Sequence, residues 1–354
     1  PIPAAEVRPG HTYRTRVRHQ DSSGNWSHWS DPVQFVAGSP DVAAFQQNLV
    51  VSEFMYHPTD ATPGELAAGF SNSDFEWIEL QNTGPQPLDL TGVRFTKGID
   101  FDFAEGTTIA PGDYVLLARN QAAFQLRNPT APAVLGTFAP DKLSNSGENI
   151  KLSLGAGTAI HEFTYLDSAP WPADADGAGF SLVLNTTGTA SPTTGMINHA
   201  DPTNWRLSRT NGGSPGSGDA ELYGDWKDTN SITSDDSDSD QDGLTAFMEF
   251  ALGTDPSRYD SLPGLAGDGL QEITVAGLPS EFLTISFRRR IAAEELTYTI
   301  QFSTDLNSGT WSDGNDAILV SSSPNGDGTV TQLWRFTAPA SGLASQFARL
   351  HVTS

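Results

Sequence analysis

Asp238, Asp240, Asp242, Gly243 and Glu249 fill the pattern D-x-D-x-D-G-x5-E without a mismatch. Carboxylates at alternate positions turn to the inside of a tight loop, and a shell of hard oxygen donors suits a calcium ion. Gly243 permits the sharp turn that an L-residue resists, and Glu249 closes the shell from below. Leu244 is expected to add its backbone carbonyl. Ala246, at the ninth loop position, has no side-chain oxygen, so water must fill that place. A solvated acidic linker with accidental spacing is the competing explanation. Ca2+ is favoured because every ligand position is filled and a helical pattern follows in register. Four carboxylates around a divalent ion leave a net negative site, so the segment is expected to be disordered without calcium.

The following element is the exit helix. Leu244, Phe247, Met248, Ala251 and Leu252 fall at i, i+3, i+4, i+7 and i+8 as a single apolar stripe, and Gly253 and Pro256 stop it. Upstream, 226–236 is polar and rich in Asp, Ser and Thr with no apolar period, so no entering helix is expected. With its D-x-D-x-D-G-L core and the trailing Leu252-Gly253-Thr254-Asp255-Pro256, the stretch resembles the half-EF-hand loops of dockerins and of thrombospondin type 3-like bacterial repeats. That resemblance implies an extracellular, structural calcium site.

The chain has 354 residues, no cysteine, 19 Lys plus Arg against 43 Asp plus Glu, and a net charge of -24. So acidic a surface repels a phosphate backbone, which argues against a nucleic-acid partner. Without cysteine there is no disulfide scaffold and no thiolate metal site, and stability must come from cores and calcium. No apolar run is long enough to span a bilayer, and no signal peptide is seen. The chain starts at Pro1 without Met, and we expect a piece of a longer secreted or cell-surface polypeptide. With 34 Gly and 23 Pro, it is expected to hold many short strands in two or three domains.

Pro9-Gly10 opens a turn, Tyr13 follows, Arg14, Arg16 and Arg18 alternate onto one strand face, and Trp26-Ser27-His28-Trp29-Ser30 comes next. Residues 1–38 resemble the C-terminal hairpin of a fibronectin type III domain, with Tyr13 at the tyrosine corner and a ladder of stacked Arg and Trp. Exposed aromatics could form a sugar or partner site. Three arginines in register to cover the rings favour structural stacking. Two strands cannot bury a core alone, so the hairpin must dock on a neighbour or belong to a larger domain.

Alternating strands separated by turn residues fill 41–218, beginning with strand patterns at 49–56 and 75–80. The landmarks run in order: Ser52-Glu53-Phe54-Met55-Tyr56-His57-Pro58, Glu76-Trp77-Ile78-Glu79-Leu80-Gln81-Asn82, Leu88-Asp89-Leu90-Thr91-Gly92, the run 106–118 from Gly106 to Ala118, Leu143 to Gly147, Trp171-Pro172, Gly179 to Leu182, and Asn204-Trp205-Arg206. This order and spacing are similar to those of the bacterial lamin-tail domain, an immunoglobulin-like β-sandwich. The resemblance implies a binding or spacer module with no catalytic machinery. Glu53, Glu76 and Glu79 are strand carboxylates that a glycosidase could use, yet nothing in the sequence brings two of them face to face, and hydrogen-bonded structural carboxylates are the simpler expectation. Neither His57 nor His161 is accompanied by a nucleophile motif. Asp174 to Gly177 and Asn325 to Gly328 lack a trailing glutamate and are expected to be turns. Residues 187–218 should be irregular, anchored by Trp205.

Residues 219–260 hold the calcium loop as a linker, and 261–354 form a last β-sandwich with strands expected at 282–287, 296–302, 317–320, 329–336 and 347–352 and turns at Asn325-Gly326 and Asp313-Gly314. This block resembles the small C-terminal sandwiches of large bacterial surface proteins. Arg288, Arg289 and Arg290 are expected to pair with nearby carboxylates such as Glu294 and Glu295. The fold class is all-β: two immunoglobulin-like sandwiches joined by a calcium-loop and short-helix segment, plus an N-terminal β-hairpin. The expected function is a noncatalytic, calcium-stabilised adhesion or spacer region, with upstream domains of the same polypeptide and an extracellular protein or glycan as partners. A carbohydrate-binding accessory to an extracellular enzyme, such as a spore-coat-type kinase or hydrolase, is the alternative. A glycosidase using Glu53 with Glu76 or Glu79 is the most distant one.

Overall fold

The computed structural model describes residues 6–185, 196–259, 266–275, 277–312, 314–340 and 346–354. Pro1, residues 187–195 of the expected irregular stretch and Asp313 of the expected Asp313-Gly314 turn lie outside them.

The chain is mostly β-structure with a few short helices. Leu49–Met55 is buried along its whole length, so both of its faces must be covered. One six-stranded sheet runs in the order Gly136–Thr137, Tyr114–Ala118, Trp77–Asn82, Leu49–Met55, Leu182–Leu184, Trp205–Leu207. A four-stranded sheet, Thr158–Tyr165, Glu148–Leu154, Val93–Lys97, Phe101–Asp102, packs against it. Between the two lie Phe54, Ile78, Leu80, Phe95, Leu152, Phe163, Tyr165 and Trp205 in one core. The sandwich therefore has the immunoglobulin-like construction of two sheets whose inward residues alternate with outward ones. On the far side of the larger sheet a second apolar cluster of Met55, Trp77, Leu116 and Phe124 is built where the helix Gln121–Arg127 crosses it.

At the N-terminus, Thr12–Thr15 pairs antiparallel with Val33–Val36, with Tyr13 opposite Phe35. The Tyr13 hydroxyl accepts from Arg8 N at 2.7 Å and donates back to Glu6 O, the bond pattern of a tyrosine corner. Arg18 lies over both Trp26 and Trp29, at 4.2 and 4.6 Å from the ring centroids. Arg14 donates to Gln34, the residue opposite it on the partner strand.

The last block holds a four-stranded sheet, Ala266–Val275, Leu278–Arg290, Thr329–Phe336, Ala317–Pro324, and a two-stranded one, Thr297–Ser303 with Phe347–Thr353. Asn325 N bonds Thr329 O across the expected turn. The core between these sheets is small: Ile285, Phe287, Ile300 and Phe302 are its buried centre, and Leu244 and Leu252 from the linker complete it. The helix Ala246–Leu252 is thus apolar on more than one side. Phe250, which the single stripe left out, is fully buried against Tyr223, Trp226 and Leu296.

A second linker helix, Tyr223–Asn230, corrects the expectation that no helix precedes the loop. Its composition is polar, but Tyr223 and Trp226, one turn apart, pack on Phe250 at ring separations of 5.2 and 5.5 Å, and Ser231 ends it in the left-handed region. Tertiary burial overrides the weak local pattern. Phe250→Ala should lower stability by about 3–5 kcal/mol, because a ring shared by helix and sandwich is lost. A urea midpoint unchanged from wild type would show that the linker helix is not part of the core.

Candidate metal centre

Gln241 and Gly243 both take positive φ, +63° and +94°, which curls 238–243 into a tight loop. Gly243 N donates to Asp238 Oδ2 at 3.1 Å, Asp242 N to Asp240 Oδ1 at 3.2 Å, and Leu244 N to Asp242 Oδ1 at 2.7 Å. These turns bring one carboxylate oxygen from each of Asp238, Asp240 and Asp242 within 4.8 Å of one another. Thr245 caps the exit helix, and the loop is tied to the stretch before it by Ala246 N to Ser237 O at 2.8 Å. Glu249 is only 1% exposed. Burial pushes its carboxyl up to about 7, and Asp240, Asp242 and Asp238 add to the shift.

Glu249 Oε1, Asp240 Oδ2 and Asp242 Oδ2 are buried without a hydrogen-bond partner. Buried polar atoms are normally satisfied, so three orphaned carboxylate oxygens around one loop fit a cation held there. All the side-chain donors are oxygens, which suits a hard ion such as calcium and gives nothing to a thiophilic metal. Leu244 buries its side chain in the C-terminal core, so the loop position expected to give a backbone carbonyl is pinned from the opposite side.

The other carboxylates singled out in the sequence are placed differently. Glu53 and Glu79 are directly paired across neighbouring strands, a juxtaposition that the sequence did not reveal. They are 2% and 1% exposed, and Glu76 is 0% exposed, accepting from Leu143 N at 2.7 Å. Glu53 and Glu79 are held inside a sheet with their oxygens turned to protein donors, whereas Glu76 Oε1 is buried without a partner. His57 pairs with Asp176, and His161 bonds Leu49 O. Asp327 pairs with Arg288. Arg290 pairs with Glu221, Glu294 with Arg206 and Glu295 with Tyr223 N, so the basic triplet meets carboxylates other than the two expected. Sequence reasoning also missed the joint of Arg206 with Asp219 and Glu294, which ties the two sandwiches together. Its sequence signals were a lone Arg in a strand and two acidic residues far apart, none of which stands out.

An all-β protein of immunoglobulin-like sandwiches with an acidic loop at their junction is the class these features define. Residues 43–167 match the family model described as Lamin Tail Domain, a non-enzymatic immunoglobulin-like family. The six-stranded sheet continues past this match through Leu182–Leu184 and Trp205–Leu207. No curated protein and no solved structure gives a significant match. Among the described residues no helix is long and apolar enough to cross a membrane.

Burial pushes the Glu76 carboxyl up to about 8 from the ordinary 4.5. The folded state then holds a proton that the unfolded chain has already released, so this contribution to stability is full below about pH 4.5 and is lost as pH rises through about 8. The slope is at most about 1.4 kcal/mol per pH unit. Glu76→Gln, which keeps the acceptor and cannot ionise, should flatten that part of the stability–pH curve measured by urea unfolding.

Proposed function

We propose that this chain is a noncatalytic, calcium-stabilised spacer or adhesion region of a larger secreted or cell-surface bacterial protein, in which an ion at 238–249 stiffens the junction between two sandwiches. The carrying observation is the convergence of Asp238, Asp240 and Asp242 within 4.8 Å beside the buried, unpartnered Glu249 oxygen. Asp238, Asp240, Asp242 and Glu249 would hold the ion through carboxylates and Leu244 through its carbonyl. The bound ion would supply charge neutralisation and no chemical step.

Stiffening follows from what the loop is attached to. The loop gives Leu244 and the exit helix gives Met248 and Leu252 to the C-terminal core, Arg290 Nε donates to Phe250 O at 2.6 Å, and Tyr298 OH donates to Ala251 O at 2.7 Å. The preceding helix is held by Glu295 at Tyr223 N, and Arg206 bridges Asp219 and Glu294. Ordering 238–249 therefore fixes both ends of the linker. The hairpin 12–36 leaves Val33, Phe35 and Val36 exposed, which suits packing against further strands of a fibronectin type III-like domain in the same polypeptide.

Carbohydrate binding is the second reading, favoured by Trp26 and Trp29, which are 52% and 54% exposed. Arg18 already occupies faces of both rings, which supports a stacking role first. Glycan-array binding that survives a chelator and fails after Trp26→Ala or Trp29→Ala would favour the sugar site.

Melting temperatures in calcium and in chelator, on wild type and on Asp240→Ala, test the clamp. At a calcium concentration 100 times Kd the wild type should gain about 2.7 kcal/mol, read as a higher melting temperature, and the variant should not respond. Equal values in all four samples would overturn the proposal.

A further inference from the structure

Glu53 and Glu79 sit opposite each other on neighbouring strands, on the outer face of the six-stranded sheet. What covers them is a glycine-rich strap, 208–219. Ser214 N and Ser214 Oγ donate to Glu53 at 2.9 and 2.6 Å, and Gly216 N donates to Glu79 at 2.6 Å. Ser181 and Ser52 donate to the same two carboxylates from the sheet side. The approach is close enough to require glycine: a Cβ on Gly213 would stand 2.4 Å from Glu53 Oε1, and one on Gly216 would stand 2.3 Å from Pro132.

We propose that Glu53 and Glu79 are a proton-operated latch, which holds the strap 208–219 on the sheet in neutral and acidic medium and lets it go in alkaline medium. Charge balance around the pair argues for this. Its titratable and charged neighbours are Tyr114 from the adjoining strand, Arg206 from the strand Trp205–Leu207, Asp219 from the strap and Glu294 from the C-terminal block, all around a cavity of about 50 Å³. The single cation in that set is matched by two carboxylates, since Arg206 bonds both Asp219 and Glu294. Among the described residues no Lys or Arg makes an ion pair with Glu53 or Glu79. Two buried like charges that no cation offsets cannot both persist, so the pair retains a proton. Burial pushes the Glu53 carboxyl up to about 7, and burial together with Glu53 drives Glu79 well above the usual range.

Removal of that proton leaves repulsion and desolvation acting on a strap held by only a few bonds. The strap runs directly into Asp219 and Glu221, which pair with Arg206 and Arg290, so its release loosens the junction between the sandwiches. The direction is fixed by the raised pKa: the latch is closed below the folded pKa and opens as pH rises through it.

Hydrogen–deuterium exchange of the Ser214 and Gly216 amides in the full, calcium-loaded chain tests the latch, with each rate divided by the intrinsic rate at the same pH. Protection should fall by up to roughly tenfold per pH unit for each proton that the closed latch keeps and the open one has released, beginning above about pH 4.5, the ordinary carboxyl value, and levelling off once pH has passed the raised folded values. In Glu79→Gln, which can still accept from Gly216 N but cannot ionise, only the share of the fall due to Glu53 should remain. A flat wild-type profile, or an equal fall in the variant, overturns the latch. Carbon-detected NMR titration of the wild-type carboxyls needs no variant: one of the pair titrating above neutrality supports the latch, and both titrating near 4.5 sinks it. The calcium clamp is read by melting with chelator, so either idea can fail alone.

Discussion

The C-terminal sandwich cannot close its core with its own strands. Ile285, Phe287, Ile300 and Phe302 need Leu244 and Leu252 to complete the cluster, the first just before the helix that leaves the acidic loop and the second at its end. Small sheets bury too little surface to be stable alone, so a borrowed helix changes the balance. Gly253 ends that helix in the left-handed region, and a Cβ there would stand 2.4 Å from Thr329. Loop conformation and domain packing are therefore one equilibrium: whatever orders 238–249 also seats the helix, and whatever unseats the helix opens the sandwich.

The sandwich that contains 43–167 meets a different constraint. Its larger sheet is covered on both faces, yet its outer face carries Glu53 and Glu79 next to Met55 and Trp77. An aliphatic face would bind a cover without direction. Carboxylates instead select one strap register, because Ser214 and Gly216 must align their donors with particular oxygens. Ile291 and Val330 join the main core from the C-terminal block, so apolar contact supplies adhesion between the two units while the polar bonds set their orientation.

Much of this was legible in the residues. The strand runs around Phe54, Ile78 and Phe287 carry their own periodicity, and the aspartate spacing foretold the gathering of Asp238, Asp240 and Asp242. The entering helix was hidden because its two anchoring aromatics, Tyr223 and Trp226, are too few to make a period, and their partner Phe250 lies 24 residues beyond Trp226. The Glu53–Glu79 pairing was hidden because cross-strand register depends on a bulge between Val51 and Glu53, which no alternation pattern encodes. Likewise, 212–218 read only as part of an irregular stretch, although Gly213 and Gly216 let the backbone reach a buried carboxylate.

A chain with a net charge of -24 must neutralise whatever carboxylates it buries, and the region around the junction holds three such groups, each with its own means. Arg206 offsets Asp219 and Glu294 permanently, since a guanidinium does not titrate in the accessible range. Protons offset Glu53 and Glu79, conditionally on pH. The acidic loop, with the orphaned oxygens of Asp240, Asp242 and Glu249, would under the proposed function be offset by a divalent ion, conditionally on its concentration. Only the first device is independent of the surroundings. On the two proposals above, the other two make the rigidity of the junction depend on the medium.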